Sequence, residues 1–179
     1  SVQPKVYVSL LVDTKLLILS QLFGCKKGAY TGAEKDKIGL VEQADGGILL
    51  LDEIHRLPPE GQEMLFLLMD KGIYRRLGET DKFREADVLI IGATTENINT
   101  VLLKTFLRRM PVVIHLPALN ERPIVERLQL IEMFFVNEQK KVGVPIRVYK
   151  EALIALLLYY CPGNIGQLKA DIQLVCARA

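Results

Sequence analysis

Apolar runs alternate with amphipathic segments over the first two thirds of the chain. Four apolar runs predict strands, at 5–12, 47–51, 87–95 and 111–117. The segments between them predict helices, at 16–23, 38–44, 57–71 and 99–109. Continuous apolar runs are typical of strands that are covered on both faces, as parallel sheets require. The pattern therefore predicts an α/β fold, with a parallel sheet flanked by helices.

Polar residues and glycines mark several boundaries of these elements. Asp13 or Thr14 is expected to cap the first helix, and Gly24 to end it. The charged stretch 73–86 contains Gly78 and predicts a hairpin or an excursion in place of a helix.

The pattern changes after Pro117, where strand signals nearly cease. Three helices are predicted beyond it, at 124–142, 149–160 and 165–178. Only 144–148 could form a further strand. We therefore expect an α/β part over residues 1–120 and a small all-helical subdomain over 121–179.

Composition and charge exclude several classes of protein. The 179 residues are 50% hydrophobic, too apolar for a disordered chain. Lys and Arg number 23 against 21 Asp and Glu, so the chain has no electrostatic footprint for nucleic acid. The apolar runs are too short to cross a bilayer, and no secretory leader opens the chain. We expect a cytoplasmic protein that does not bind membranes.

The cysteines and histidines do not suggest a metal centre. Cys25, Cys161 and Cys176 are far apart in sequence and are expected to be reduced thiols. With only His55 and His115 as histidines, a zinc site is not predicted. We expect His55 to have a structural or surface role and His115 to face solvent from a strand.

Two acidic residues, Asp52 and Glu53, directly follow the apolar run 47–51. Open α/β sheets bind ligands at the carboxyl ends of their strands. Asp52 could hold Mg²⁺ through water, and Glu53 could polarise an attacking water for phosphoryl transfer. The alternative is a strand that ends in a solvated acidic turn.

The glycine-bearing segment GAYTGA occupies residues 28–33. It is not a P-loop, because no Gly-Lys-Ser/Thr follows it. Small residues around a single aromatic suit a mobile loop that presents Tyr30 and Thr31 to a partner. The alternative is a flexible surface loop without a partner.

Several ordered motifs resemble one protein family. LFGCKKGAYTGA at 22–33 resembles the LFG…KGAFTGA signature of bacterial sigma-54-dependent transcriptional activators, which are AAA+ ATPases. The segment 46–79 is similar to the one that follows in that family, and VLIIGATTEN, VVIHLPALNERP and CPGNIGQL occur in the family's order. The segments FLRRMPVVIHLP and PGNIGQL resemble those of the LevR-type subgroup, which couples this module to sugar-phosphotransferase regulation domains.

The resemblance implies roles for individual residues. It makes Asp52 and Glu53 the Walker B pair, for magnesium and for water activation. Thr94 and Thr95 fall at the sensor I position, where the family usually has Thr-Asn. Alternatively, these threonines simply pack at the end of a strand.

The resemblance also implies an arginine that reaches the nucleotide of a neighbouring subunit. Arg108 matches one of two such family arginines, and the adjacent Arg109 is a second candidate. Leu102 occupies the position of the other family arginine. Alternatively, Arg108 and Arg109 are a basic helix end favoured by the helix dipole. Gly166 replaces the sensor II arginine, for which Lys169 is a weak substitute.

The partners implied by the resemblance are sigma-54 of RNA polymerase and sister subunits in a ring. The sigma-54 contact would be made by Gly28, Ala29, Tyr30, Thr31, Gly32 and Ala33. ATP and magnesium would be the cofactors of the whole regulator, which would remodel the sigma-54 closed complex. DNA would be bound only through domains outside this chain.

One expected family motif is missing from the sequence. Family members carry a Gly-x-x-x-x-Gly-Lys-Ser/Thr loop before the strand that precedes LFG, and no such loop occurs in these 179 residues. We expect a piece of a larger regulator that neither hydrolyses ATP nor binds it tightly alone. A relative that lost the loop in evolution is one alternative. A non-catalytic module that binds sigma factor or sister subunits is another.

Overall fold

The computed structural model describes residues 5–11 and 14–178. The chain divides into two compact units, one ending at Val113 and the other beginning at Ile114. The predicted domains, 1–120 and 121–179, differ from these units only in the assignment of residues 114–120.

The elements of the first unit follow the predicted alternation. Its strands are β1 (Lys5–Ser9), β2 (Gly24–Cys25), β3 (Lys37–Ile38), β4 (Gly47–Asp52), β5 (Ile73–Tyr74), β6 (Arg84–Glu85) and β7 (Val88–Ala93). Its helices are α1 (Lys15–Phe23), α2 (Leu40–Gln43), α3 (Pro59–Lys71), α4 (Ile98–Val101) and α5 (Lys104–Leu107), with a 3-10 turn at Ile54–Arg56.

A parallel sheet in the order β1-β4-β7 forms the centre of the first unit. Helices connect its strands, as parallel pairing requires. Two antiparallel ribbons, β2 with β3 and β5 with β6, lie outside this sheet. The predicted α/β fold and the predicted hairpin at 73–86 are confirmed.

The core of the first unit explains why β4 is the middle strand. Leu49 and Leu51 of β4 are fully buried, and they share a cluster with Phe23 of α1, Leu65 of α3 and Phe106 of α5. Burial of one such leucine stabilises a fold by about 2 kcal/mol. The central strand is therefore held by apolar contacts with helices from several parts of the unit.

Two predicted elements, a strand and a helix, are considerably shorter than expected. The strand at 5–12 ends at Ser9, and the helix at 38–44 covers only Leu40–Gln43, because Lys37 and Ile38 pair with β2. Helix α1 ends before Gly24 as predicted. Thr14 precedes α1, but its side chain makes no capping hydrogen bond to the described residues. The predicted Asp13 cap lies outside the described residues.

The predicted strand at 111–117 is wrong. These residues have no regular secondary structure, and they pair with no strand in the described part of the chain. Their apolar side chains are exposed, with Val112 and Ile114 each at 78%. A strand needs a partner for its backbone hydrogen bonds, and alternating apolar residues do not provide one. His115 is exposed as expected, but it does not lie in a strand.

The predicted helix at 99–109 is wrong as a single element, because it is broken into α4 and α5. Leu102 adopts extended backbone between them and buries its side chain in the core. The backbone N–H of Leu103 donates to Oε1 of the buried Gln62 at 2.8 Å. This bond satisfies a backbone group that the break frees.

The second unit is helical, as predicted. It contains α6 (Ile124–Val142), α7 (Lys150–Leu158) and α8 (Asn164–Arg178), with a 3-10 turn at Leu119–Glu121. Its core consists of the buried side chains of Leu119, Ile131, Phe134, Leu168 and Ile172. Residues 144–148 do not form a strand. Among the described helices, none is long and apolar enough to cross a membrane.

Candidate functional site

The carboxyl ends of three parallel strands bring the predicted acidic pair and one threonine together. In the sheet register, Ser9 pairs with Asp52, and Asp52 pairs with Ala93. The residues that follow Asp52 and Ala93 are Glu53 and Thr94. Open α/β sheets bind ligands at the carboxyl ends of their strands. The topology therefore places Asp52, Glu53 and Thr94 at the edge of the sheet where a ligand is expected.

Both oxygens of the Asp52 carboxylate accept hydrogen bonds. Oδ1 accepts from the backbone N–H of Glu53 at 3.1 Å, and Oδ2 accepts from the Tyr7 hydroxyl at 2.9 Å. The hydrogen bond to Asp52 is the main cause that raises the pKa of Tyr7, and desolvation adds to it. Sequence reasoning missed Tyr7, and only its place in the strand beside Asp52 could have identified it.

Glu53 and Thr94 converge on the ring of His55. His55 Nδ1 lies 2.9 Å from Thr94 Oγ1 and 3.2 Å from Glu53 Oε2. Glu53 has a left-handed backbone, with φ 57° and ψ 44°, immediately before the 3-10 turn that carries His55. Non-glycine residues adopt this conformation infrequently, and it often marks functional positions. His55 therefore lies beside both candidate residues, a placement that the sequence did not predict.

The two predicted sensor threonines lie in different surroundings. Thr94 Oγ1 contacts His55 and also accepts the backbone N–H of Glu96 at 3.0 Å. Thr95 is exposed, and its side chain makes no hydrogen bond to the described residues. Of the pair, Thr94 is the one within reach of Glu53.

The donor set around Asp52 suits magnesium held through water. Its ligands would be hard oxygens, which this cation prefers, and it usually keeps several waters. Ser9 Oγ, at the strand position paired with Asp52, is a buried hydroxyl without a hydrogen-bond partner in the described part of the chain. No group of three or more His, Cys, Asp or Glu among the described residues forms a metal cage. Asp52 is therefore the residue that would hold this cation, with Ser9 Oγ as a neighbouring oxygen.

The two candidate arginines also differ in their surroundings. Arg109 forms an ion pair with Asp70, and its guanidinium lies 5.4 Å from the centre of the Phe66 ring. Arg108 is exposed, and its side chain has no hydrogen-bond or ion-pair partner among the described residues. Arg109 is thus engaged within its own unit, whereas Arg108 is available to another molecule.

Hydrogen bonds close the GAYTGA loop at its base. Lys26 Nζ lies 2.8 Å from Asp36 Oδ2, and the Lys27 N–H donates to Asp36 Oδ1 at 2.8 Å. The bond from Lys26 is the main cause that lowers the pKa of Asp36. Inside this closure, the Gly28 N–H donates to the Ala33 carbonyl at 2.8 Å. The loop 28–33 is therefore a closed excursion with a defined base.

Within the loop, the tip is exposed and the aromatic residue is partly covered. Thr31 and Gly32 are exposed, while Ala33 is buried. Tyr30 is half-buried, and its hydroxyl donates to Ser20 Oγ of α1 at 3.3 Å. The loop thus has an accessible tip and an aromatic side chain that rests on α1.

The neighbouring hairpin of β5 and β6 is tied to the base of this loop. The Lys26 N–H donates to the Leu77 carbonyl at 2.9 Å, and the Leu77 N–H donates to the Gly24 carbonyl at 3.0 Å. Close packing adds to this link, because a Cβ on Gly78 would lie 2.8 Å from Ala29 Cβ. The loop and the hairpin therefore form one connected surface feature.

Comparisons with known proteins identify the family of this chain. The family described as Sigma-54 interaction domain matches residues 3–115. The chain is 55% identical over 161 residues to the transcriptional regulatory protein LevR of Bacillus subtilis (strain 168), covering 90% of this chain and 17% of LevR. It is 50% identical to the transcriptional regulatory protein DagR of Salmonella typhimurium, covering 91% of this chain and 18% of DagR.

Solved structures of NtrX from Brucella abortus have the same fold. The structures in complex with ADP and with ATP each match 98% of this chain and 39% of the NtrX chain, with a TM-score of 0.83 and 27% identity. The fold is that of an AAA+ module: a parallel sheet flanked by helices, followed by a helical part. The chain belongs to the sigma-54 interaction domain family. The LevR-like resemblance inferred from the sequence motifs is confirmed.

Proposed function

We propose that this chain is the ATPase and sigma-54 interaction module of a bacterial transcriptional activator. The whole regulator would couple ATP hydrolysis in a ring to remodelling of the RNA polymerase sigma-54 closed complex. The observation that carries the proposal is the convergence of Asp52, Glu53 and Thr94 at the carboxyl edge of the sheet. Since the chain spans 17% of LevR and 18% of DagR, the activity described belongs to the whole regulator.

At this edge, each side chain has a distinct task in phosphoryl transfer. Magnesium, when bound with ATP, would neutralise charge on the phosphates, and Asp52 would hold it through water. Glu53 would orient the attacking water and act as the general base that accepts its proton. Thr94, with its hydroxyl at the same edge, would contact a phosphate oxygen; Thr95 is the second sensor candidate. Catalysis of this kind depends on positioning and electrostatics, which rigid strand ends supply.

Arg108 would complete the site of a neighbouring subunit in the ring. An arginine supplied by a neighbour can stabilise charge on the transferring phosphoryl group, because its fixed fork binds phosphate oxygens. Its exposure and its lack of a described partner favour Arg108 over Arg109, which pairs with Asp70. Hydrolysis would therefore require sister subunits.

The loop Gly28–Ala33 would contact sigma-54. Its exposed tip at Thr31 and Gly32 gives access to a partner, and Tyr30 adds an aromatic side chain that can leave Ser20 at the cost of one hydrogen bond. DNA would be bound only by domains outside this chain.

A non-catalytic module that binds sigma factor or sister subunits is the second candidate. Two sequence features favour it for the chain alone: no Gly-x-x-x-x-Gly-Lys-Ser/Thr loop occurs in the 179 residues, and Gly166 replaces the family's sensor II arginine. Under either function, the loop contact with sigma-54 is the shared claim.

Capture of purified sigma-54 by the immobilised chain tests that shared claim. We expect Tyr30→Ala to reduce capture at least tenfold, since the aromatic contact is lost. Tyr30→Phe should retain capture, because it removes only the hydroxyl that bonds Ser20. Tyr160→Ala, at a 70% exposed tyrosine of the helical unit, is the matched control. Equal capture by Tyr30→Ala and Tyr160→Ala would contradict the assignment of the loop.

A further inference from the structure

We propose that His55 is a positioning residue. It leaves the hydroxyl hydrogen of Thr94 free to donate to a ligand, and it holds the Glu53 carboxylate beside the imidazole ring. The inference rests on the proposed function, since it assigns Thr94 and Glu53 to phosphate recognition and water activation. It concerns a residue for which the sequence motifs imply no chemistry. The positions of the hydrogens around one nitrogen, His55 Nδ1, decide these roles.

Two oxygens share the Nδ1 atom of His55. Thr94 Oγ1 is 2.9 Å away and Glu53 Oε2 is 3.2 Å away. An ionised carboxylate only accepts hydrogen bonds, so an Nδ1 lone pair facing Glu53 would be repelled. The Nδ1–H tautomer removes this conflict, because the N–H then donates to Thr94 Oγ1 and its positive hydrogen, in place of a lone pair, lies near the Glu53 carboxylate. The geometry therefore selects the tautomer with hydrogen on Nδ1.

This tautomer fixes the role of the Thr94 hydroxyl. A hydroxyl has two acceptor lone pairs and one O–H donor. One lone pair accepts the backbone N–H of Glu96 at 3.0 Å, and the other accepts the Nδ1–H of His55. Both acceptor positions are then filled, and the O–H hydrogen remains free to donate. Thr94 thus presents a donor to an anionic oxygen such as that of a phosphate.

The backbone around His55 keeps this arrangement in place. The 3-10 turn is closed by the Arg56 N–H donating to the Glu53 carbonyl at 2.9 Å. The preceding side chain, Ile54, is buried against β7, where a Cβ on Gly92 would lie 2.8 Å from Ile54 Cδ1. With Ile54 fixed, the neighbouring His55 ring has little freedom to leave Thr94 and Glu53.

The direct test is the tautomer of His55 in the purified chain, read from long-range ¹H–¹⁵N correlations of the imidazole ring. The spectrum is recorded at a pH at which the ring nitrogen shifts themselves report a neutral imidazole. We expect hydrogen on Nδ1 and a bare Nε2. Hydrogen on Nε2 with a bare Nδ1 would overturn the proposal, because Thr94 would then have to give its hydrogen to the ring.

Two variants separate positioning from a general structural role. His55→Asn places an amide N–H close to the former Nδ1 position, whereas His55→Gln places it one bond further out. The Glu96 amide resonance reports on Thr94 Oγ1, to which it donates. We expect this resonance to be retained in His55→Asn and displaced in His55→Gln, with similar unfolding midpoints for both. Equal displacement in both variants would contradict the proposal.

These readouts need neither nucleotide nor sigma-54, so their outcome is independent of the test of the proposed function. If His55 carries hydrogen on Nδ1 while sigma-54 capture does not depend on Tyr30, the proposed function fails and the hydrogen-bond arrangement stands. If sigma-54 capture depends on Tyr30 while His55 carries hydrogen on Nε2, the arrangement fails and the proposed function stands.

Discussion

At the scale of single residues, Glu42 links α2 to the hairpin beside the loop. Its Oε2 accepts from the Tyr74 hydroxyl at 3.0 Å and from Arg76 Nη2 at 2.8 Å. The hydrogen bond from Arg76 is the main cause that lowers the pKa of Glu42. Burial, followed by the bond to Glu42, raises the pKa of Tyr74 to about 12. Because Arg76 is only 8% exposed, removal of this carboxylate would leave its guanidinium largely buried without that ion-pair partner.

Glu42→Gln is expected to lower the free energy of unfolding at neutral pH by about 1 kcal/mol, allowing for solvent around the glutamate. The pKa of Glu42 is lower in the folded state than in the unfolded state. The carboxylate therefore stabilises the fold fully at pH values above the ordinary glutamate pKa, and this stabilisation is lost as the pH falls through the pKa of the folded state. Urea unfolding at neutral pH and at about pH 3 measures how much the free energy of unfolding falls on acidification. This decrease should be smaller in the variant than in the wild type. Glu63→Gln, at an exposed glutamate, is the control. An equal decrease in the free energy of unfolding for Glu42→Gln and the wild type would contradict the stabilising role of Glu42.

At the scale of elements, the sequence predicted those with a strong local signal. The apolar runs at 47–51 and 87–95 formed β4 and β7, and the amphipathic segment 124–142 formed α6. The run at 111–117 carried the same signal but lacks a described partner strand, which no local pattern reveals. Likewise, the break at Leu102 depends on a hydrogen bond to the distant Gln62.

The same limit applies to the candidate site. The positions of Asp52 and Glu53 at a strand end followed from the apolar run before them. Tyr7 and His55 could not be assigned, because their bonds to Asp52, Glu53 and Thr94 depend on strand order and on a left-handed turn. Arg108 and Arg109 are adjacent in sequence, and the contacts of Arg109 with Asp70 and with the Phe66 ring distinguish it from Arg108.

A close backbone crossing supports the ribbon of β2 and β3 at the base of the loop. A Cβ on Gly39 would lie 2.3 Å from the backbone carbon of Phe23, a contact that no side-chain rotation relieves. Gly39→Ala is therefore expected to lower the free energy of unfolding by about 3 kcal/mol. Urea denaturation of the variant and the wild type measures this difference.

Gly166→Ala is the matched control for that substitution. No atom lies within 4 Å of a Cβ built there, and the position is exposed in α8. Alanine is the better helix former by about 1 kcal/mol, so this variant should be as stable as the wild type or more so. Equal destabilisation by Gly39→Ala and Gly166→Ala would contradict the role of the crossing.

At the scale of the whole molecule, the proposed function makes this chain one part of an ATPase site. Asp52, Glu53 and Thr94 lie at one edge of the sheet, and Arg108 is exposed in the same unit. Phosphates are usually held by the backbone N–H groups and lysine of a Gly-x-x-x-x-Gly-Lys-Ser/Thr loop, a motif not found in the 179 residues. Under the proposed function, we therefore expect tight nucleotide binding to need groups in addition to these.

Titration of magnesium-ATP into the purified chain should give no binding heat at micromolar protein, and parallel assays should give no phosphate release. The physical reason is that the loss of water around the phosphates is not offset without the N–H groups and lysine of their usual loop. Asp52→Asn is the control for contaminating ATPases, whose activity it would leave unchanged. Magnesium-dependent release that this variant abolishes would show that the chain holds a complete site.

The central claim is that the loop 28–33 contacts sigma-54, and site-specific photo-cross-linking tests it most directly. A photoreactive aromatic amino acid is introduced at position 30 or, in a separate sample, at the exposed position 160. Each chain is irradiated with purified sigma-54. We expect a cross-link to sigma-54 from position 30 and none from position 160. No cross-link from position 30, or equal cross-linking from both positions, would contradict it.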